Sequence, residues 1–586
     1  MKKFHNIVMV FVMVLSILVM PLSNQVSAIE GVGKGKHGEI KVDVTITEDK
    51  ITDIKVLSDT ENKVLAEPVY EQMKQSIIEN NSVDVDVISG SSETSKGYLS
   101  AVKDAVEKAG VTLGAAKAQK ETKEEANLEP ETKDFDVVVV GAGGAGLTAA
   151  IEAANQGLKV ALVEKMPAVG GNTLISGGEM NVPNNWVQEK LGIEGDSVDT
   201  FYEDTMKGGD NLGDPELVRV FAENALPAAE WLRDEIKVEF LEDQLFQFGG
   251  HSYKRALIPV GHTGQELIIK LKAKADELGV ETFVSTKAEK LIQDDNKRVV
   301  GVEAKTDKGQ AITFNAPKGV ILTAGGFGSN IEMRKEYNKE FDERYLSTDT
   351  PGTTGDGIVM AQEVGAALTN MESIQTYPVA NPVTGVISLV ADTRFDGAIL
   401  VNQQGQRFVE ELERRDVISK AILAQEGRIA YQMWAEPLNK VSKTIEAHQA
   451  EYEEMLEQDV IYKTDTIEDA AKHFGIDPKA LEETIKKVNQ YAKDKKDPDF
   501  NHRAGLAPLE EGPFYIQKAT PSVHHTMGGV VINEKAQVLN EDKEVIEGLY
   551  AAGEVTGVIH GANRLGGNAV ADIIIFGRIA GQNIGK

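Results

Sequence analysis

The 586-residue sequence contains no cysteine. That absence excludes disulfides, cysteine-ligated iron–sulfur clusters, thioether-attached haem and the lipid-bearing cysteine of a lipoprotein. Positive charge is also scarce: 62 Lys and Arg stand against 92 Asp and Glu, for a formal net charge of −30. Such a chain repels nucleic acid and anionic membrane surfaces, and the same excess keeps it soluble. Long apolar runs are confined to one place. "MKKFHN" sets two lysines before "IVMVFVMVLSILVMP", and "VSA" precedes Ile29. Basic, apolar and small residues in that order read as a secretory signal peptide over residues 1–28, because the run is short for a spanning helix of ~20 residues. An uncleaved anchor is the alternative. Cleavage before Ile29 removes Lys2 and Lys3, takes the charge to −32, and leaves a mature protein outside the cytoplasm, secreted or held at the cell surface.

The remaining composition, 41% hydrophobic and 26% charged, is that of a soluble globular protein with room for about three or four domains. "GEIKVDVTITEDKITDIKVLSD" alternates apolar and polar residues around a turn, which predicts a β-hairpin. A helix over "PVYEQMKQSIIEN", a further strand, the hydroxyl-rich "DVISGSSETS" and a second helix over "KGYLSAVKDAVEKAG" complete a small α+β domain at 29–113. Residues 114–132, rich in charge and alanine with no apolar stripe, read as a linker.

From Asp134 the pattern becomes βαβ. In "DFDVVVVGAGGAGLTAAIEAANQGLKVALVEK" a buried strand runs into Gly141, Gly143 and Gly146, where a helix opens. The glycines allow a tight turn and let backbone amides approach a pyrophosphate at the helix N-terminus. Glu164 ends the second strand, 18 residues after Gly146, where a carboxylate can bond ribose hydroxyls.

Further motifs favour a flavin over a nicotinamide: "VGGNTLISGG", "TAGGFGSN", "TTGDG", "RFVEELERRD", "HHTMGG" and "GEVTG" followed by "HGANRLGGNA". On these the chain from Asp134 onward resembles the flavoprotein family of soluble fumarate reductases and succinate dehydrogenase flavoprotein subunits. The resemblance implies an α/β fold: a Rossmann-like FAD-binding domain (133–371 and 521–586) with an inserted α+β capping domain at 372–520, preceded by the small α+β domain. It also implies FAD contacts at Ala145, Glu164, Asn172, Thr173, Gly178, Asp356, Glu554 and Ala569. Asn172-Thr173 stands where membrane-bound relatives carry the histidine that attaches FAD, so the FAD here is expected to be non-covalent.

The front domain resembles FMN-binding domains of extracellular and membrane electron-transfer proteins. Their pattern, Asp-x-x-Ser-Gly-Ala-Thr/Ser, reads here as Asp86, Val87, Ile88, Ser89, Gly90, Ser91, Ser92. The resemblance implies FMN esterified through its phosphate to Ser92, with Thr94 as a second candidate and an ordinary serine-rich turn as the bland reading. It also implies an FMN transferase, and an electron donor from a membrane flavin or quinone system.

Reducing a conjugated C=C bond needs a hydride, a proton on the neighbouring carbon and stabilisation of enolate-like charge. The family's carboxylate-binding and proton-donating positions map to His525, Arg564 and Arg415. Arginine is ordinarily too basic to give up a proton, and serves only where water is stripped away and a second charge lies near. Elsewhere the pocket departs from fumarate reductases. Tyr377 in "TYPVAN" replaces a histidine, Glu179 in "GGEM" replaces glycine, and "ISLVADTR" lacks the Thr-Glu pair of the proton relay. Arg394 keeps its relay position, with Asp392 as a substitute for the lost glutamate.

Two added carboxylates oppose a second substrate carboxylate and attract a cation or polar N–H. This implies an enoate with a carboxylate at one end and a basic group at the other. The arrangement is similar to that of the family's urocanate reductases, with Glu179 and Asp392 facing an imidazole, Tyr377 bordering it and Phe248 stacking on it. Fumarate or another enoate is the alternative substrate. A secreted electron-transfer flavoprotein without a substrate of its own is the alternative class.

Overall fold

The computed structural model describes residues 27–35, 38–59, 61, 63–85, 87, 92–111, 113 and 128–586, in two compact units. Most of the expected signal peptide lies outside the described residues, as do Asp86, Ile88, Ser89, Gly90 and Ser91.

In the first unit β1 (Ser27–Lys34), β2 (Glu39–Thr47) and β3 (Lys50–Ser58) form an antiparallel sheet in that order. β2 and β3 are the expected hairpin. Thr47 pairs with Lys50, and the two residues between them, Glu48 and Asp49, both have positive φ, the geometry of a tight primed turn. Ile40, Val42, Val44 and Ile46 alternate inward along β2. Two helices follow, α1 (Lys63–Asn80) and α2 (Ser92–Ala109). The strand expected after α1 does not form over residues 81–85; its place in the sheet is taken by β1, which begins two residues ahead of Ile29. β1 is hard to read because Gly31 and Gly33 weaken its pattern. The same glycines let α2 approach: a Cβ at Gly31 would lie 1.9 Å from the Ala101 carbonyl oxygen, and one at Gly33 2.1 Å from that of Gly97.

In the second unit, β4 (Glu131–Asp134) leads to β5 (Val137–Val140), then α3 (Gly144–Asn155) and β6 (Val160–Val163). β5 sits in a six-stranded sheet between β6 and Gly319–Leu322, parallel to both. Every residue of β5 and β6 is buried, as expected of a strand covered on both faces. The C-terminal helix Asn568–Asn583 lies close against α3, where a Cβ at Gly581 would stand 2.4 Å from the Ala149 carbonyl oxygen.

Between these parts of the chain lies a five-stranded sheet. The long strand Phe514–Thr526 is its spine, pairing with Ala430–Ala435 through Phe514–Ala519 and with Ile374–Ala380 from Thr520 onward. Ile399–Val401 and Ile461–Thr464 complete it, and Ile399, Met433, Ile485 and Ile516 belong to its own buried cluster. The boundary expected at 520 falls within the long strand.

Candidate active site

The turn between β5 and α3 is built for close approach. Gly141 has φ of +103°, and a Cβ on it would lie 2.4 Å from the Thr323 carbonyl oxygen. At Gly146 a Cβ would stand 1.8 Å from the Gly141 carbonyl oxygen, so this glycine serves the packing of turn against helix. Gly143 caps α3 with no side-chain hydrogen bond of its own, and the first helix amide, Gly144 N–H, donates only to the Thr173 hydroxyl at 3.2 Å, so the positive end of a 12-residue helix has no anionic partner there among the described residues. A cavity opens there, lined by Gly141, Gly143, Ala145, Glu164, Asn172 and Thr173. Glu164 accepts the Ala142 N–H and the Met166 N–H, each at 2.8 Å. Each oxygen keeps a second lone pair for a ribose hydroxyl. Asp356 lies on the same cavity, paired with Lys165 and with Lys287 at 3.3 Å. A glycine cradle at an uncapped helix N-terminus with a carboxylate one strand away suits the diphosphate and ribose of FAD.

A second cavity, somewhat larger, shares Asn172, Thr173, Glu554 and Ile573 with the first. Gly178 and Ala569 line it, as do Glu179, Tyr377, Asp392, Arg394, Arg415, His525, Arg564 and Phe248, the residues singled out for substrate and proton. They come from widely separated elements. Tyr377 lies in the strand Ile374–Ala380, Asp392 and Arg394 in the 3₁₀ turn Val390–Asp396, and Arg415 opens the helix Arg415–Leu423. Arg564 follows in a loop whose carbonyl accepts Gln375 Nε2 at 2.6 Å.

Three cationic or donor groups at this cavity hold a buried atom with no hydrogen-bond partner among the described residues: His525 Nε2, Arg564 Nε and Arg415 Nη1. Leaving such groups unpaired in the interior is costly, so they suit an anionic ligand. Burial, helped by Arg415, holds the Arg564 guanidinium well below the usual arginine range, and burial beside Arg564 does the same to His525. Burial also lowers Arg415, with Arg394 reinforcing the shift against Tyr377, Asp392 and Glu179.

The carboxylates behave in the opposite sense. Burial pushes Glu179 up to about 7, with Asp392 adding to the rise, and burial pushes Asp392 up to about 6 against the pull of Arg394. Asp392 Oδ1 lies 3.3 Å from Arg394 Nη1. The Tyr377 ring faces both arginines, 5.6 Å from Arg394 Cζ and 5.3 Å from Arg415 Cζ, and its hydroxyl donates to the Ser388 carbonyl at 3.2 Å. Burial raises that hydroxyl to about 12. Arg415 is thus in electrostatic reach of Glu179 and Asp392 and also of Arg564 and His525. Phe248 packs edge-on against Phe395, with centroids 5.6 Å apart.

Sequence reasoning did not single out Asp349 or His524, which line the same cavity. Asp349 accepts Asn172 Nδ2 at 3.0 Å, and its carboxyl is raised well above the usual range by burial and by Glu554. His524 was hidden by strand alternation, which sends neighbours to opposite faces. Here Gln375 pairs with His525 while Thr376 pairs with Val523, so His524 is the extra residue of a bulge. The bulge turns both histidines to the cavity. Ser92 opens α2. The Thr94 hydroxyl is buried and donates to Glu61 Oε2 at 2.6 Å.

The family profile described as "FAD binding domain" matches residues 136–570, and "FMN-binding domain" matches residues 35–107. Urocanate reductase of Eggerthella lenta is 45% identical over 556 residues, covering 94% of this chain and 91% of that protein. Fumarate reductase (cytochrome) of Shewanella frigidimarina is 39% identical over 454 residues, 77% of each chain. The solved open conformation of a flavocytochrome c3 fumarate reductase superimposes with a TM-score of 0.65 at 38% identity, covering 78% of each chain. The chain therefore belongs to the flavoprotein family of urocanate reductases and soluble fumarate reductases, with an FMN-binding and an FAD-binding domain, and is a flavin-dependent oxidoreductase of CH–CH bonds.

Proposed function

We propose that the chain reduces urocanate to imidazole propionate outside the cytoplasm. The observation that carries this reading is the division of polarity around Arg415: Arg564 and a neutral His525 with unpaired buried nitrogens on one side, and two carboxylates with raised affinity for protons on the other. His525 and Arg564 would grip the substrate carboxylate. Near neutral pH Glu179, at about 7, is poised between donor and acceptor while Asp392, at about 6, is mainly an acceptor, and a neutral imidazole offers one N–H and one bare nitrogen. A second substrate carboxylate would meet that pair unfavourably.

FAD, when bound and reduced, supplies the hydride. Tyr377 and Phe248 would border the ring of the substrate and keep water away. Arg415 gives its proton to the carbon that the hydride does not reach, and its lowered basicity makes that transfer easier than for a solvated guanidinium. Arg394, tied to Asp392, would return the proton to Arg415. Asn172, committed to Asp349, Thr350 and Thr353, has no nucleophile with which to attach FAD, which favours a non-covalent cofactor. FMN would be carried on Ser92, placed there by an FMN transferase, because the Thr94 hydroxyl is already engaged. The signal-peptide pattern supports export, with electrons arriving from a membrane flavin or quinone system.

The test is steady-state turnover by protein carrying both flavins, with a reduced dye as donor and urocanate, fumarate, methacrylate and cinnamate-type acids as acceptors. Urocanate is expected to give the highest kcat/KM. Rapid turnover of fumarate with none of urocanate would overturn the assignment.

A further inference from the structure

Each turnover moves one proton to carbon, so the donor must be recharged every cycle. Substrate filling the large cavity blocks that side of Arg415. A third, small cavity shares Phe248, Arg394, Arg415 and Arg564 with the substrate cavity and extends past them to residues 411–414. Its lining is more apolar than polar, and it has room for about one water molecule.

Two acidic residues are among those that line it, and they differ in kind. Glu411 is fully buried and committed. Its Oε1 accepts Arg407 Nε at 2.8 Å and the Leu400 N–H at 3.0 Å, while Oε2 accepts Arg407 Nη2 at 2.7 Å. The Glu413 side chain is 41% exposed. Its Oε2 accepts the Arg414 N–H at 2.8 Å, and Oε1 stands 3.7 Å from Arg503 Nη2, beyond hydrogen-bond reach. Arg503 is engaged instead by Glu410 at 3.1 Å. Glu413 is therefore both partly exposed and part of the lining of this cavity, two residues from Arg415.

We propose that Glu413 takes protons from solvent and passes them through water in the third cavity to Arg415. The Glu413 O–H bond breaks as a water O–H bond forms. The water next to Arg415 gives up a proton to restore the N–H that the substrate consumed, and Glu413, left as a carboxylate, reprotonates from solvent. Arg394 lines the same cavity, so this route and the relay through Asp392 and Arg394 converge on Arg415 from two sides. The inference rests on Arg415 being the proton donor.

The experiment uses protein with both flavins and the fastest enoate of the substrate panel. Glu413→Gln keeps an acceptor for the Arg414 N–H but carries no proton. It is expected to lower kcat about tenfold or more, leave KM within about twofold and enlarge the solvent deuterium isotope effect, with added formate or acetate restoring turnover. Glu413→Asp should retain most activity. A Glu413→Gln kcat within about twofold of the wild type overturns the proposal, as does a fall that small acids do not reverse and that leaves the isotope effect unchanged. Arg415→Lys separates the two layers: wild-type turnover in that variant removes the proton donor itself, whatever Glu413→Gln does.

Discussion

Arg414 Nη1 lies 2.9 Å from Asp210 Oδ1, joining the inserted sheet region to the FAD-binding part at the residue next to Arg415. The Asp210 side chain is half exposed, so the pair is worth at most about 1 kcal/mol and is screened by salt. Asp210→Ala is expected to lower kcat/KM by no more than about fivefold at low salt, with the thermal midpoint unchanged. The difference from the wild type should vanish at high ionic strength, as steady-state assays across a salt series will show.

Arg415→Lys keeps a cation at the cavity but loses the planar fork and the nitrogen positions of the guanidinium. Turnover should fall by about 10² to 10⁴, the range of a general acid. Urocanate should still perturb the flavin spectrum on titration, because His525 and Arg564 remain.

Glu179 and Asp392 hold their protons more tightly in the folded chain than in the unfolded one, with values of about 7 and about 6. The folded state therefore binds more protons between the ordinary carboxylate range, about 4, and pH 7. Their contribution to stability is full at low pH and is lost as pH rises through 6 and 7. The double variant Glu179→Gln, Asp392→Asn removes this dependence. Its thermal midpoint should gain on the wild type as pH is raised from 5 to 8, and thermal unfolding at several pH values will test this. The gain should be absent near pH 4.

Ser92→Ala should abolish the mass increment of a covalently attached FMN in the intact protein while leaving FAD content unchanged. Thr94→Ala should leave the increment in place, because the Thr94 hydroxyl is committed to Glu61. Intact-protein mass spectrometry distinguishes the two.

Local signals carried much of this structure. Four consecutive valines followed by spaced glycines announce a covered parallel strand and a ligand-binding turn, since both depend on residues adjacent in the chain. The β2–β3 hairpin was legible for the same reason. β1 was not, because its glycines answer to α2 and not to their own strand neighbours. In the cavity, Glu179, Asp392 and Arg415 could be singled out only as departures from or matches to a family pattern; their common cavity depends on segments more than 200 residues apart. His524 needed the bulge, and Asp349 needed its bond to Asn172. Neither leaves a periodic trace.

The long strand Phe514–Thr526 has one further consequence. At one end it is stitched to Ala430–Ala435 and Ile461–Thr464, and at the other it delivers His524, His525 and Thr526, whose N–H donates to Glu554 at 2.9 Å. Backbone pairing makes this ribbon stiff along its length. A tilt of the outer sheet would therefore carry both histidines with it, tying the shape of the cavity wall to the position of strands that never touch the cavity.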